Sequence, residues 1–142
     1  MNRYGAVAAP GGRAPAPDAA DPTVDALSYL GDSVYELIIR ERLVKLGICG
    51  SSRLNSEARK YVTAPAQSAA AERLLPLLTE EEEAVFRRGR NSGHGKNIPK
   101  TATAAEYRRA TGLETLFGML RLEGRDRRAD ELVDAAFPEL RI

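Results

Sequence analysis

The sequence predicts an all-α fold, and three observations predict it. Apolar residues recur at steps of three and four along most of the chain, helix-capping residues punctuate it, and no run of alternating β-branched residues competes. The elements follow in order. Asp21 and Pro22 suit an N-cap and a first helical position. Val24, Leu27, Leu30, Val34 and Ile38 then mark one face of a long helix over 24–46, ended by Gly47. Ser52 or Asn55 opens a second helix through Ala58, Tyr61 and Val62. Thr63 caps a third, Ala-rich helix that runs toward Leu78 and is disturbed near Pro76. Thr79 to Glu82 form a capping box, with acidic charge on the positive end of a fourth helix. That helix turns Val85 and Phe86 inward and gives out near Gly89, ahead of an irregular loop over 89–100. Thr103 to Glu106 restart a helix, and Thr111 to Glu114 read as another start or a tight joint before the stripe Leu113, Leu116, Phe117 and Leu120. Asp126 begins the last helix, with Ala129, Leu132, Val133 and Ala136 inward.

Residues 1–22 stand apart. Fourteen of them are Ala, Pro or Gly, and four of the eight prolines of the chain fall there. Such a stretch cannot offset its ordering entropy by burial, so it reads as a disordered tail ahead of one domain over 23–142. The chain of 142 residues is the size of one ordinary domain. A single cysteine excludes an intrachain disulfide and a Cys-based zinc site. A single histidine excludes a multi-histidine centre within one chain. Twenty-one Lys and Arg against twenty Asp and Glu leave a net charge of +1, so nucleic-acid binding would need a local patch. With no membrane-length apolar run and no signal-peptide core, the expected setting is the cytoplasm.

Three places could carry chemistry. Gly31 interrupts the first helix at a cost of about 1 kcal/mol relative to Ala. The compensation it implies is close approach of another backbone, from a neighbouring helix or a second protomer. Asp32 follows at the margin of the apolar stripe, as either a paired structural charge or a ligand facing a cleft. Glu114 is either the third residue of a capping box with Thr111 or a functional acid. If Asp32 and Glu114 meet, two carboxylates from two helices can hold Mg²⁺ and leave coordination positions for water and phosphate. The third place is basic: Arg87, Arg88, Arg90, Lys96 and Lys100 lie within fourteen residues, with Asn91 and His94 and no acid. Such side chains suit phosphate oxygens and ribose hydroxyls. Glu80 to Glu83 point around a helix rather than along one face, and read as a solvated helix start.

Two stretches resemble a known family. Ala26-Leu-Ser-Tyr-Leu-Gly-Asp-Ser-Val-Tyr-Glu36 and Thr111-Gly-Leu-Glu-Thr-Leu-Phe-Gly-Met-Leu120 are similar to the two acidic helix motifs of the ribonuclease III catalytic domain. Phe86-Arg-Arg-Gly-Arg-Asn91 with Pro99-Lys100 resembles the loop of its short form, Mini-ribonuclease III. The resemblance covers about residues 23–137. It implies that Asp32 and Glu114 are the metal-binding, catalytic acids, and that Ser28 and Thr111 stand where longer members carry two more. With fewer protein ligands, more of the metal shell would be water and phosphate. It further implies a homodimer with a valley for duplex RNA, and no separate double-stranded-RNA-binding domain. Arg87, Arg88, Arg90, Asn91, Lys96 and Lys100 would then supply much of the RNA affinity. The implied activity is Mg²⁺-dependent cleavage of double-stranded RNA, leaving 5′-phosphate and 3′-hydroxyl ends with short 3′ overhangs. The implied substrate is the precursor 23S ribosomal RNA stem, with possible ribosomal-protein assistance left open. Two other readings stay open: a non-catalytic dimeric RNA-binding protein of the same fold, and a nucleotide phosphohydrolase built on Glu80 to Glu83.

Overall fold

The computed structural model describes residues 22–92 and 98–142, and every regular element among them is helical. The elements are α1 (Val24–Lys45), α2 (Ser51–Val62), α3 (Ala64–Leu74), α4 (Glu80–Asn91), α5 (Ala104–Leu122) and α6 (Asp126–Ala136). Short 3₁₀ turns cover Leu75–Leu77 and Pro138–Leu140. The predicted tail lies outside the described residues apart from Pro22, and so do His94 and Lys96.

The central element is α5. From Gly112 to Leu120 every residue is buried except Glu114, which is half-buried. A helix apolar on all sides is one surrounded by others, and α1, α3, α4 and α6 all pack on α5. The core joins Tyr35, Ile39 and Leu43 of α1 to Leu113, Leu116, Phe117 and Leu120 of α5, with Leu74, Phe86 and Leu132 closing the sides. Tyr35 and Phe117 meet edge to face at 5.5 Å, and the Tyr35 hydroxyl donates to the Tyr61 carbonyl at 2.6 Å.

Several local expectations need correction. The N-cap of α1 is Thr23, whose hydroxyl accepts from the Ala26 amide, rather than Asp21. The buried face of α1 is Leu27, Gly31, Tyr35, Ile39 and Leu43. Of the stripe read from the sequence only Leu27 belongs to it; Leu30, Val34 and Ile38 are half-buried at its edge. A stripe of large residues misled because the deepest contact runs through a glycine. α2 starts at Ser51, ahead of both Ser52 and Asn55. α4 passes through Gly89 to Asn91, since Gly89 is buried against α5 rather than ending the helix. Thr111 does not restart α5: its hydroxyl donates to the Tyr107 carbonyl one turn back, a bond that lets threonine sit inside a helix.

The acidic run is also not wholly solvated. Glu82 has a side chain 0% exposed and takes hydrogen bonds from Arg128 at 2.9 Å and Arg125 at 3.1 Å. Its carboxylate caps the Thr79 amide as well, so one acid ties the start of α4 to α6. Buried Arg42 similarly ties α1 to α6 through Asp130 and Asp134.

Candidate metal and RNA site

The site begins at the crossing of α1 and α5, where two glycines let the backbones touch. A Cβ on Gly31 would overlap the Glu114 carbonyl oxygen, and would lie 2.5 Å from its carbon and 2.8 Å from the Gly118 nitrogen. A Cβ on Gly118 would overlap the Leu27 carbonyl oxygen in return. The approach that Gly31 implied therefore comes from a neighbouring helix of the same chain, not from a second protomer. Any larger residue would hold the helices apart.

That contact decides where the acids fall. Asp32, next to Gly31, is exposed, and Glu114 faces it from α5. Burial, the negative charge of Asp32 and a hydrogen bond shared with it push the Glu114 carboxyl up to about 8, while a hydrogen bond from Gln67 acts the other way. The Glu114 carboxyl thus favours its protonated form at neutral pH.

The donors fit a hard divalent ion. Both side chains offer oxygen only, which suits Mg²⁺ rather than zinc or copper. Ser28 and Thr111 add no carboxylate to the set, and their hydroxyls donate to the Asp25 and Tyr107 carbonyls of their own helices. Among the described residues no group of three or more His, Cys, Asp or Glu is placed to hold a metal ion together. Among the described residues two carboxylates, Asp32 and Glu114, meet at this place.

A third residue was missed by the sequence reading. Gln67 of α3 is 3% exposed, and its Nε2 donates to the Val62 carbonyl at 3.0 Å and reaches Glu114 Oε2 at 3.5 Å. The available signal was a glutamine in an otherwise Ala-rich helix, at 64–71.

The basic residues divide. Arg87 and Arg88 are exposed near the end of α4, Asn91 is exposed, and Arg90 is half-buried with its Nε donating to Asn91 Oδ1 at 3.2 Å. Lys100 is exposed beyond the undescribed stretch 93–97, which contains Lys96. The C-terminal half of α4 lies against α5 through Gly89, where a Cβ would come within 2.7 Å of Thr115 Cβ and 2.9 Å of Gly112 Cα. Thr115 follows Glu114 directly, so Arg87, Arg88, Arg90 and Asn91 sit on a helix that packs against α5 next to the acid.

Comparison with known proteins now bears on this arrangement. The ribonuclease III domain family matches over residues 25–125, a stretch that includes both acids and α4. The chain belongs to the ribonuclease III family. Family members are ribonucleases that act on double-stranded RNA and are generally dependent on a divalent metal. Among relatives, Mini-ribonuclease 3 of Symbiobacterium thermophilum is 48% identical over 111 residues, covering 78% of this chain and 84% of the relative. Mini-ribonuclease 3 of Enterococcus faecalis is 41% identical over 111 residues, covering 77% and 83%. The crystal structure of protein FN1578 from Fusobacterium nucleatum superposes with a TM-score of 0.72 at 28% identity, covering 79% of this chain and 88% of that one. The all-α ribonuclease III fold expected from the sequence is thus the observed one.

Proposed function

We propose that the chain is a homodimeric, Mg²⁺-dependent endoribonuclease that cuts double-stranded RNA and matures precursor 23S ribosomal RNA. The observation that carries the reading is the meeting of Asp32 and Glu114 at the Gly31 crossing, beside a basic helix end. Asp32 and Glu114 would hold the cation. When bound, Mg²⁺ supplies an activated water and stabilises charge on the scissile phosphate. Glu114 would hold the ion in its ionised form, and its half-buried position on a rigid central helix fixes the direction of its lone pairs. Arg87, Arg88, Arg90, Asn91, Lys96 and Lys100 bind phosphates and ribose hydroxyls of the flanking duplex.

Dimerisation has support in the outer face of α1. Tyr29 is 84% exposed and Leu37 58% exposed. Leu37 joins Leu30, Val34 and Ile38 in a surface groove bordered by Arg121, Asp126 and Asp130. A contiguous apolar strip with a charged rim suits an isologous interface. Two copies of the site would then serve the two strands of one duplex. Among the described residues no helix is long and apolar enough to cross a membrane, and a cytoplasmic setting suits this substrate.

The test is a comparison of substrates by the purified chain in Mg²⁺. A precursor 23S stem should be cut on both strands, leaving 5′-phosphate ends, with sedimentation reporting a dimer. Binding of the stem without any cut product would instead support a non-catalytic RNA-binding dimer. Turnover of a free nucleoside triphosphate in place of RNA cleavage would support the phosphohydrolase.

A further inference from the structure

Among the described residues one buried side-chain polar atom has no hydrogen-bond partner, and it belongs to Gln67. The orientation of its amide is fixed chemically. The Val62 carbonyl only accepts, so the group facing it at 3.0 Å must be Nε2, and Oε1 is the end left over. An orphaned acceptor at 3% exposure costs about 1–3 kcal/mol, and a native core does not keep one without cause. The neighbouring polar residue of α3 shows the ordinary solution, since Ser68 Oγ accepts from Arg109 Nε at 2.6 Å.

The position of the orphan supplies the cause. Nε2 of the same amide reaches Glu114 Oε2 at 3.5 Å. The two amide heteroatoms are held about 2.3 Å apart by covalent geometry, so Oε1 lies no more than about 6 Å from that carboxylate oxygen. An ion bound at about 2.1 Å from Glu114, carrying water at a similar distance, presents O–H donors within hydrogen-bond reach of this range. We propose that Gln67 is a positioning residue of the metal site, its Oε1 accepting a hydrogen bond from the hydration shell of a divalent cation held by Asp32 and Glu114. The inference rests on the metal reading proposed above. It accounts for a site with only two carboxylates: Gln67 orients through its amide what further acids would have ligated directly. Nε2 meanwhile holds Glu114 Oε2, so one side chain sets both an acid and the ion's water.

The experiment measures Mn²⁺ affinity from the electron paramagnetic resonance signal of the free ion, with no RNA present. Four proteins are compared at pH 8: wild type, Asp32→Asn, Gln67→Met and Gln67→Glu. Methionine matches the length of glutamine without an oxygen, and glutamate restores an oxygen at the same place. Gln67→Met should bind Mn²⁺ about tenfold more weakly than wild type, and Gln67→Glu at least as tightly as wild type. Circular dichroism shows whether each variant is folded. A purely structural role predicts the opposite order, because a third buried acid beside Glu114 harms the fold more than methionine does. If Asp32→Asn loses Mn²⁺ while both Gln67 variants match wild type, the Gln67 inference is wrong and the metal site stands. If wild type itself binds no Mn²⁺, the metal site fails and the inference falls with it.

Discussion

Replacing Gly31 with alanine adds one methyl group at the place where α1 and α5 touch. That carbon would lie 2.5 Å from the Glu114 carbonyl carbon and 2.8 Å from the Gly118 nitrogen, where ordinary contact begins near 3.4 Å. All the atoms it meets are backbone, the Glu114 carbonyl oxygen nearest of all, so no rotamer change relieves it, and the helices must part by about 1 Å or more. A gap of that size forfeits roughly a quarter to a half of each dispersion contact. Leu27, Tyr35, Ile39, Leu113 and Phe117 line this interface and are each buried. At about 2 kcal/mol of burial per side chain, the loss is on the order of 2–5 kcal/mol. The better helix propensity of alanine returns about 1 kcal/mol. The net destabilisation is about 3 kcal/mol, or roughly 10 °C in Tm for a domain of this size. Thermal unfolding followed by far-UV circular dichroism measures it, with Ser33→Ala on the exposed side of α1 as a control that should melt with wild type. Gly31→Ala melting at or above wild type would refute the backbone crossing, and with it the reason Asp32 and Glu114 lie together.

Three further predictions follow from the charges. The Glu114 carboxyl titrates at about 8 when folded and near 4.5 when unfolded, so the folded state binds the extra proton between those values. The resulting penalty is absent below pH 4.5, grows as pH rises and is complete above 8; Glu114→Gln should therefore be about 2–4 kcal/mol more stable than wild type in EDTA at pH 8, by urea denaturation, and equal stability there would contradict the raised Glu114 pKa. Glu82 behaves oppositely: burial works against its charge, but the Arg128 hydrogen bonds, the Thr79 amide and the charges of Arg128 and Arg125 prevail and lower its pKa. Its contribution is present at neutral pH and lost as pH falls through the lowered folded value, so Glu82→Gln should cost about 2–4 kcal/mol at pH 7 and progressively less in acid. Finally, Arg87→Ala and Arg88→Ala should each weaken duplex RNA binding and flatten its dependence on salt by about one counterion, read from filter binding in Ca²⁺ over a salt series.

Much of this was legible in the sequence, and what was not has specific causes. The capping boxes at Thr79 and Thr103 state their helices outright, because a hydroxyl and an acid three residues apart satisfy free amides locally. The same pattern at Thr111 misleads, since a threonine inside a helix can bond to the turn behind it and spacing alone does not separate the two cases. Gly31 announced a close approach but not its partner, which the packing of α5 supplies. The burial of Glu82 was hidden because its partners, Arg125 and Arg128, lie more than forty residues away in sequence. Gln67 escaped for a related reason: a glutamine is unremarked in any helix until its surroundings leave one end of it unpaired.

The central claim is that Asp32 and Glu114 hold the ion that cuts duplex RNA. Wild type and Asp32→Asn, incubated with an end-labelled RNA duplex and its matching single strand in Mg²⁺ and in EDTA, test it most directly. The account predicts duplex cleavage only by wild type in Mg²⁺, with Asp32→Asn folded, still able to bind the duplex, and at least a thousandfold slower on an order-of-magnitude scale. Cleavage by Asp32→Asn at the wild-type rate, or cleavage that survives EDTA, would contradict it.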